Sequence, residues 1–412
     1  MKKYLAIGCL VLGCGSGGGA TPIGTAGIES SGSAGAIAGA GTGAGPNGGA
    51  SAGPQSGGAG ASSVAPHVVL PCDKLGAKGA WEDVTPPGLN LSASFKTNAG
   101  DNYGAHSVGV DPKNSANVYL GTSAQGIFKS TDCGATWVHI NTGRNGDKLD
   151  GGRQWVFVID PVNPEIIYTN SGYSQDNAWK STNGGVDWDP LVSAEYIRAL
   201  QFNGFVHWIA LDPTNHDHLL VTPHFSCEVG AVNGLPKSPN CMLETMDAGK
   251  TWKILEGTPQ VMENGGPWMV DSKTWFVSSA FDGLSRTTDA GASWSHAFST
   301  GYASVGDVKL SNGKRYDGGV FNVIVSSDDG ASWAALPNSP GAQFVAGDSN
   351  TLYTVRDLDY YTTSVTDLTN WQHLPSPPLA QGVSAWSMKY DPDHHILYSV
   401  YSTSGFWRLV LK

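Results

Sequence analysis

The chain has 412 residues, of which 14% are charged, and carries a net charge of −11. It holds only seven arginines and no Lys/Arg cluster, which argues against a nucleic-acid partner. No apolar run is long enough to cross a bilayer of about 30 Å as a helix.

In chain order, residues 1–14 read as an address. Lys2 and Lys3 precede an apolar run from Tyr4 to Gly13. Its end, Val11-Leu12-Gly13-Cys14, resembles a bacterial lipobox. The resemblance implies cleavage before Cys14, a lipid on its sulfur, and membrane contact through that anchor alone. A secretion signal cut elsewhere is the competing reading. Gly15, rather than Asp, follows Cys14, which in some bacteria permits transfer to the outer membrane. The expected location is the cell envelope or surface. Residues 15–66 are almost entirely Gly, Ala, Ser, Thr and Pro. Such a segment buries too little apolar surface to offset its backbone entropy, so a disordered tether is expected. Residues 67–412 are left as the folded domain.

That domain is repetitive. STDCGATW (130–137) returns as STNGGVDW, TMDAGKTW, TTDAGASW and SSDDGASW. The closing residues Trp137, Trp188, Trp252, Trp294 and Trp333 are 51, 64, 42 and 39 apart. A degenerate sixth copy, SVTDLTNW, ends at Trp371. Before each box lie short β-runs, the first often ending in Asp-Pro, as at Asp111, Asp160, Asp212 and Asp391. Four strands per 40 to 50 residues is the pattern of a propeller blade. The expected fold is all-β: seven four-stranded antiparallel blades. The last unit lacks a fourth strand, and GAWEDVTPP (79–87) is a fourth strand without the preceding three. The two ends therefore complete one blade, three strands plus one, and close both open edges.

The octapeptides resemble the Asp-box, or BNR repeat, of sialidase-like propellers, and the resemblance covers residues 81–412. Propellers of this kind host enzymes, receptors, lectins and assembly factors, so the resemblance implies fold before activity. The box residues Asp132, Asn183, Asp247, Asp289 and Asp328 are read as structural. Each side-chain oxygen is expected to accept from backbone N–H groups one and two residues on. The Gly supplies positive φ and the Trp a buried ring. Asn183 can make the same turn, which fits poorly with a required carboxylate. Strand counting puts the boxes at the lower rim with the Asp-Pro turns.

Four cysteines remain after Cys9 and Cys14, an even number in an exported protein, so two disulfides are expected. Of three pairings, Cys227–Cys241 would pin one loop and Cys72–Cys133 would staple the closing seam. A metal site competes, but the spacings lack a CxxC pair and no His stands near them in a ligand pattern. The expectation is no metal and no cofactor.

The opposite, upper mouth is where ligands are expected. Five residues before the Asp that ends each first strand stand His106, Trp155, His207, Gly266 and Trp386, with Gln343 a looser match. Tyr103, Arg153, Trp208 and Trp268 lie nearby in sequence; the second loops add Tyr173, His224, Asp282 and Arg356. Each Trp or His singly fits blade packing, but the ring of them reads as an aromatic funnel suited to carbohydrate. Three enzyme readings follow. Sialidases hold a carboxylate with three arginines after an Arg-Ile-Pro motif, which is missing here. A uronic-acid polysaccharide lyase could use Arg153 on the carboxylate and His106, His207, His224 and Tyr173 for proton transfer. A glycosidase needs two carboxylates from among Asp101, Glu195, Glu263, Asp282 and Asp307. The non-catalytic alternative is a monomeric scaffold that binds glycan or protein. Convergence of His106, Arg153 and His207 on one pocket favours chemistry; separate blade interfaces favour the scaffold.

Overall fold

The computed structural model describes residues 66–93, 103–173, 177–193, 206–223, 241–259, 266–279, 283–299, 308–310, 312–319 and 321–412. Their strands form seven four-stranded antiparallel sheets. Blade one is a meander of Ala105–Val110, Val118–Thr122, Ile127–Ser130 and Val138–His139. Blades two to six repeat it, with first strands opening at Phe157, Val206, Pro267, Val308 and Phe344. Blade seven combines Ser387–Asp391, Ile396–Tyr401 and Gly405–Val410 with Trp81–Asp83. Trp81 pairs with Leu409, Glu82 with Arg408 and Asp83 with Trp407. The ring is closed three plus one, as expected.

The core is built at one repeating position. Tyr119, Tyr168, Phe276, Tyr316, Tyr353 and Tyr398 sit mid-way along the second strands, opposite Gly109, Val158, Trp268, Val308, Ala346 and Lys389. Blade three has Leu220 there, opposite Ala210. All seven second-strand residues are buried. An aromatic ring at this point spans the gap between twisted neighbouring sheets, which small residues would leave open.

The boxes differ from expectation in their partners. Asp132 accepts the Thr136 backbone N–H and hydroxyl, both at 2.7 Å, four residues on. Asp247 with Thr251, Asp289 with Ser293 and Asp328 with Ser332 repeat this. Two successive left-handed residues cause it, Cys133 at φ 60° and Gly134 at φ 89° in the first copy. They curl the chain back on the carboxylate, and the Gly134 N–H goes instead to Ser130 Oγ at 2.7 Å. In the second copy the backbone bond is kept, Asn183 Oδ1 accepting the Asp187 N–H, and only the side-chain donor and acceptor are exchanged, Nδ2 donating to Asp187 Oδ2 at 3.0 Å. The hydrogen bonds from Thr251, Ser293 and Ser332 lower the pKa values of Asp247, Asp289 and Asp328 to about 2. The degenerate sixth copy is no box: Asp359–Ser364 turns tightly into Asp367–Leu374, and Trp371 lies within that last strand.

Four of the five boxes are tied by a backbone hydrogen bond to the first turn of their own blade. Cys133 N–H donates to Ala116 O, Gly184 to Glu165 O, Ala248 to Asp217 O and Ala290 to Lys273 O. Boxes and Asp-Pro turns therefore share the lower rim. At the seam, Cys72 and Cys133 form the expected disulfide, with Cα atoms 5.8 Å apart. Around it pack Val84, Ala105, Val118, Tyr398 and Phe406 from blades one and seven. Buried Arg408 donates to Glu82 Oε2 at 2.9 Å and to the Cys133 carbonyl at 2.7 Å. Cys227 and the Cys241 side chain lie outside the described residues, as do residues 1–65 with Cys14. Among the described residues no helix is long and apolar enough to cross a membrane.

Candidate functional site

The upper end is organised by the segment Gly151-Gly152-Arg153-Gln154-Trp155. Arg153 forms backbone bridges to Ser123 and to Gly172, which follow the second strands of blades one and two. Gln154 receives the Thr122 N–H on its side-chain oxygen and donates to Leu149 O, while its own carbonyl accepts from Ser107 Oγ. A Cβ at Gly152 would collide with Ser171, so only glycine lets the segment lie this close. These ties fix the direction in which Arg153 and Trp155 project.

Arg153 is 1% exposed, and its guanidinium carbon is 4.0 Å from the Trp155 ring centroid and 4.9 Å from that of Trp386. His106 meets Trp386 edge-on at 5.5 Å. His207 lies 4.9 Å from Trp155 and 4.8 Å from Trp208. Trp208 lies against Gly266, where a Cβ would be 2.8 Å from its Cγ. The column read from the sequence is thus a contiguous arc: Trp386 of blade seven, His106, Arg153 with Trp155, His207 with Trp208, then Gly266 of blade four. Tyr173 extends it outward, 5.2 Å from Trp155, from a left-handed loop position at φ 67°. Gln343 is outside the arc and accepts the Asp357 N–H.

The arc has two layers. Trp155, Trp208 and Trp386, with Phe157, Ser387 and Lys389, line a cavity of about 310 Å³. His106, Arg153 and His207 lie behind the indoles, each at most 3% exposed. Burial, reinforced by the Arg153 charge, pushes the His106 pKa well below its ordinary value, so its imidazole is neutral. Neither ring nitrogen of His106 has a hydrogen-bond partner among the described residues. Lys389 is the one charged side chain lining this cavity among the described residues. Lys389 keeps exposed surface in the channel, while desolvation by the surrounding protein lowers its pKa. A second cavity of about 510 Å³ shares Phe157, Val158 and Lys389 and continues to Pro112, Pro161 and Pro392 at the lower rim.

Other expected site residues are placed differently. Trp268 is 7% exposed and stacks on Phe276 at 4.0 Å, edge-on to Trp333. It stands two residues below the mouth column, opposite Phe276, so it packs toward blade five and also lines the 310 Å³ cavity with Trp155, Trp208 and Trp386. Tyr103 is half-buried, and its carbonyl accepts from Ser402 Oγ at 2.7 Å. Arg356 is exposed, on the hairpin where it pairs with Asp359. His224 and Asp282 lie outside the described residues, as do Asp101, Glu195, Glu263 and Asp307. The described arginines are dispersed: Arg144 pairs with Asp189, Arg315 with Asp329, and Arg408 stays at the seam. Sequence reasoning missed Lys389 and Phe157; the signal for Lys389 was a charged residue in a strand facing the channel.

No family model matches the chain. A 209-residue stretch, 45% of the chain, is 28% identical to a xyloglucanase of Hypocrea jecorina (strain QM6a) and covers 23% of that protein. A similar stretch is 25% identical to xyloglucanase Xgh74A of Acetivibrio thermocellus, covering 45% of this chain and 24% of that one. The match therefore spans about a quarter of the length of these relatives. Among solved structures, YCF48 from Cyanidioschyzon merolae superposes with a TM-score of 0.52 at 13% identity, over 80% of this chain and 98% of that one. U3-55K gives 0.53 at 10% identity, over 82% and 100%. The extracellular domain of the putative hybrid two component system BT3049 from B. thetaiotaomicron gives 0.52 at 13%, over 74% and 40%. At these identities the structures establish the propeller fold alone.

Proposed function

We propose that this propeller recognises a hydroxyl-rich polysaccharide of the xyloglucan type at its upper mouth, outside the cytoplasm, with the lipid on Cys14 as its anchor. The observation that carries the reading is the meeting of Trp155, Trp208 and Trp386, from blades two, three and seven, on one cavity. Sugar rings present C–H faces that stack on indoles, and a rigid indole loses little entropy on binding. The resemblance of 45% of the chain to a xyloglucanase supports a neutral glycan over an anionic one. So does the burial of Arg153, which faces two indoles and positions them. A lyase would need that guanidinium on the substrate carboxylate.

The test is isothermal titration of the full chain with xyloglucan oligosaccharides, beside anionic and unrelated neutral glycans. Saturable binding that is lost in Trp155→Ala and Trp386→Ala, with circular dichroism unchanged, is the expected result. Absence of binding across the panel overturns the proposal. The xyloglucanase resemblance also supports a second reading, hydrolysis by two carboxylates. New reducing ends appearing on incubation would select it, and recovery of intact polymer would select binding alone.

A further inference from the structure

The blade seven to blade one seam gathers chemistry that the sequence keeps far apart. Cys72 precedes the closing strand, Cys133 lies in the first box, and His394 is in the first turn of blade seven, 261 residues beyond Cys133. One donor atom of each lies within 4.8 Å of the others. Cys133 Sγ is 3.7 Å from His394 Nδ1. Tetrahedral zinc with Zn–S near 2.3 Å and Zn–N near 2.0 Å separates its sulfur and nitrogen ligands by about 3.5 Å.

The hydrogen bonds of His394 fix its ring beside the two sulfurs. Nε2 lies 2.7 Å from the Leu70 carbonyl, a group that only accepts, so Nε2 carries the hydrogen. Nδ1 faces the Asp391 carboxylate at 2.6 Å and the Cys133 sulfur at 3.7 Å. The first separation is that of a hydrogen bond with a proton between nitrogen and carboxylate, and a metal ion entering at Nδ1 takes that proton's place. An imidazole donating one N–H to a backbone carbonyl and offering the other nitrogen inward is the usual pose of a metal-bound histidine. Asp391 is fully buried, and its other oxygen accepts the Asp393 and His394 N–H groups, which holds it at this spot. Arg408, paired with Glu82 and bonded to the Cys133 carbonyl at 2.7 Å, holds the Cys133 backbone in place.

We propose that, before oxidation, Cys72, Cys133 and His394 bind a zinc-class divalent cation, with Asp391 beside it. The newly made chain carries both cysteines as thiols. Two thiols, His394 and one M²⁺ give the dithiolate–imidazole complex and release the two thiol protons and the one held between Nδ1 and Asp391, with no change of oxidation state. The ligands come from the N-terminal segment, blade one and blade seven, so the ion clasps the ring where the disulfide later staples it.

The experiment uses the full chain reduced with a phosphine, which takes up oxygen from water and returns the disulfide as two thiols. Cobalt(II) is the probe, because tetrahedral thiolate coordination produces intense visible bands. The reduced chain is expected to show those bands, saturating with added cobalt. The oxidised chain and Cys133→Ser should not show them. His394→Ala should weaken binding by about tenfold or more. Bands that survive Cys133→Ser, or are unchanged in His394→Ala, overturn the proposal. Should a variant fail to fold, X-ray absorption on the zinc-loaded wild type decides. Two sulfur neighbours near 2.3 Å with nitrogen or oxygen near 2.0 Å support the site, and any other sulfur count rejects it.

Discussion

The guanidinium of Arg153 lies 4.9 Å from the indole of Trp386, although one stands at the entry to blade two and the other in blade seven. The same guanidinium covers Trp155 at 4.0 Å. One cation thus sets the spacing of two platforms across blade one, and each cation–π contact contributes about 0.5–2 kcal/mol.

Arg153→Met should leave the ring closed but loosen both indoles. The expected outcome is a fall of about tenfold in polysaccharide affinity, with a reduced near-ultraviolet circular dichroism signal from the tryptophans. Trp386→Ala removes a platform outright and should cost about 2 kcal/mol or more of binding, measured by titration calorimetry.

Box tryptophans are unequal. Trp188 is fully buried and donates to the Gly185 carbonyl at 2.9 Å, whereas Trp294 is half-exposed. Trp188→Ala should cost about 3–5 kcal/mol in denaturant unfolding, and Trp294→Ala clearly less.

Box carboxylates act as hydrogen-bond acceptors. Asp289→Asn should melt close to wild type, as the natural Asn183 suggests, and Asp289→Ala should melt lower. The pKa of Asp289 is depressed to about 2 from 3.8 by Ser293 and Thr287. Its contribution is therefore complete above about pH 4 and lost as pH falls toward 2. Thermal melts between pH 2 and 5 should show that acid loss in wild type and a smaller one in Asp289→Asn.

His106 predicts a different acid limb. Its folded pKa is well below the unfolded value of 6.5 because burial and Arg153 both disfavour charge. The unfolded chain binds the extra proton first, so this contribution is lost as pH falls below about 6.5. The slope approaches about 1.4 kcal/mol per pH unit. His106→Phe should flatten stability between pH 6.5 and 5 relative to wild type.

Much of the architecture could be read locally. The Gly and Trp of each box mark a turn and an anchor within eight residues, so the spacing of Trp137 to Trp333 counts blades without any long-range information. The orphan strand at Trp81 could be assigned because a missing fourth strand and a surplus one have a single topological solution. Local reading could not choose where a side chain has two faces. Trp268 fits a funnel and fits a blade interface, and the structure gives it both, a stack on Phe276 and a place in the cavity lining. Reach inside the box was misjudged as well, since two left-handed residues in succession bring Thr136, not the next amides, to Asp132.

The sequence by itself determined the fold class, the blade count and the closure, because these follow from periodicity and from turn chemistry confined to short segments; the Cys72–Cys133 pairing, one of three the sequence left open, was decided by the structure. Tertiary structure alone decided which groups face one another across blades. It put Arg153 and the histidines behind the tryptophans and brought His394 to Cys133 across 261 residues. Those contacts depend on ring closure and strand twist, which position residues by geometry summed over the whole chain and leave no mark in any one stretch of it.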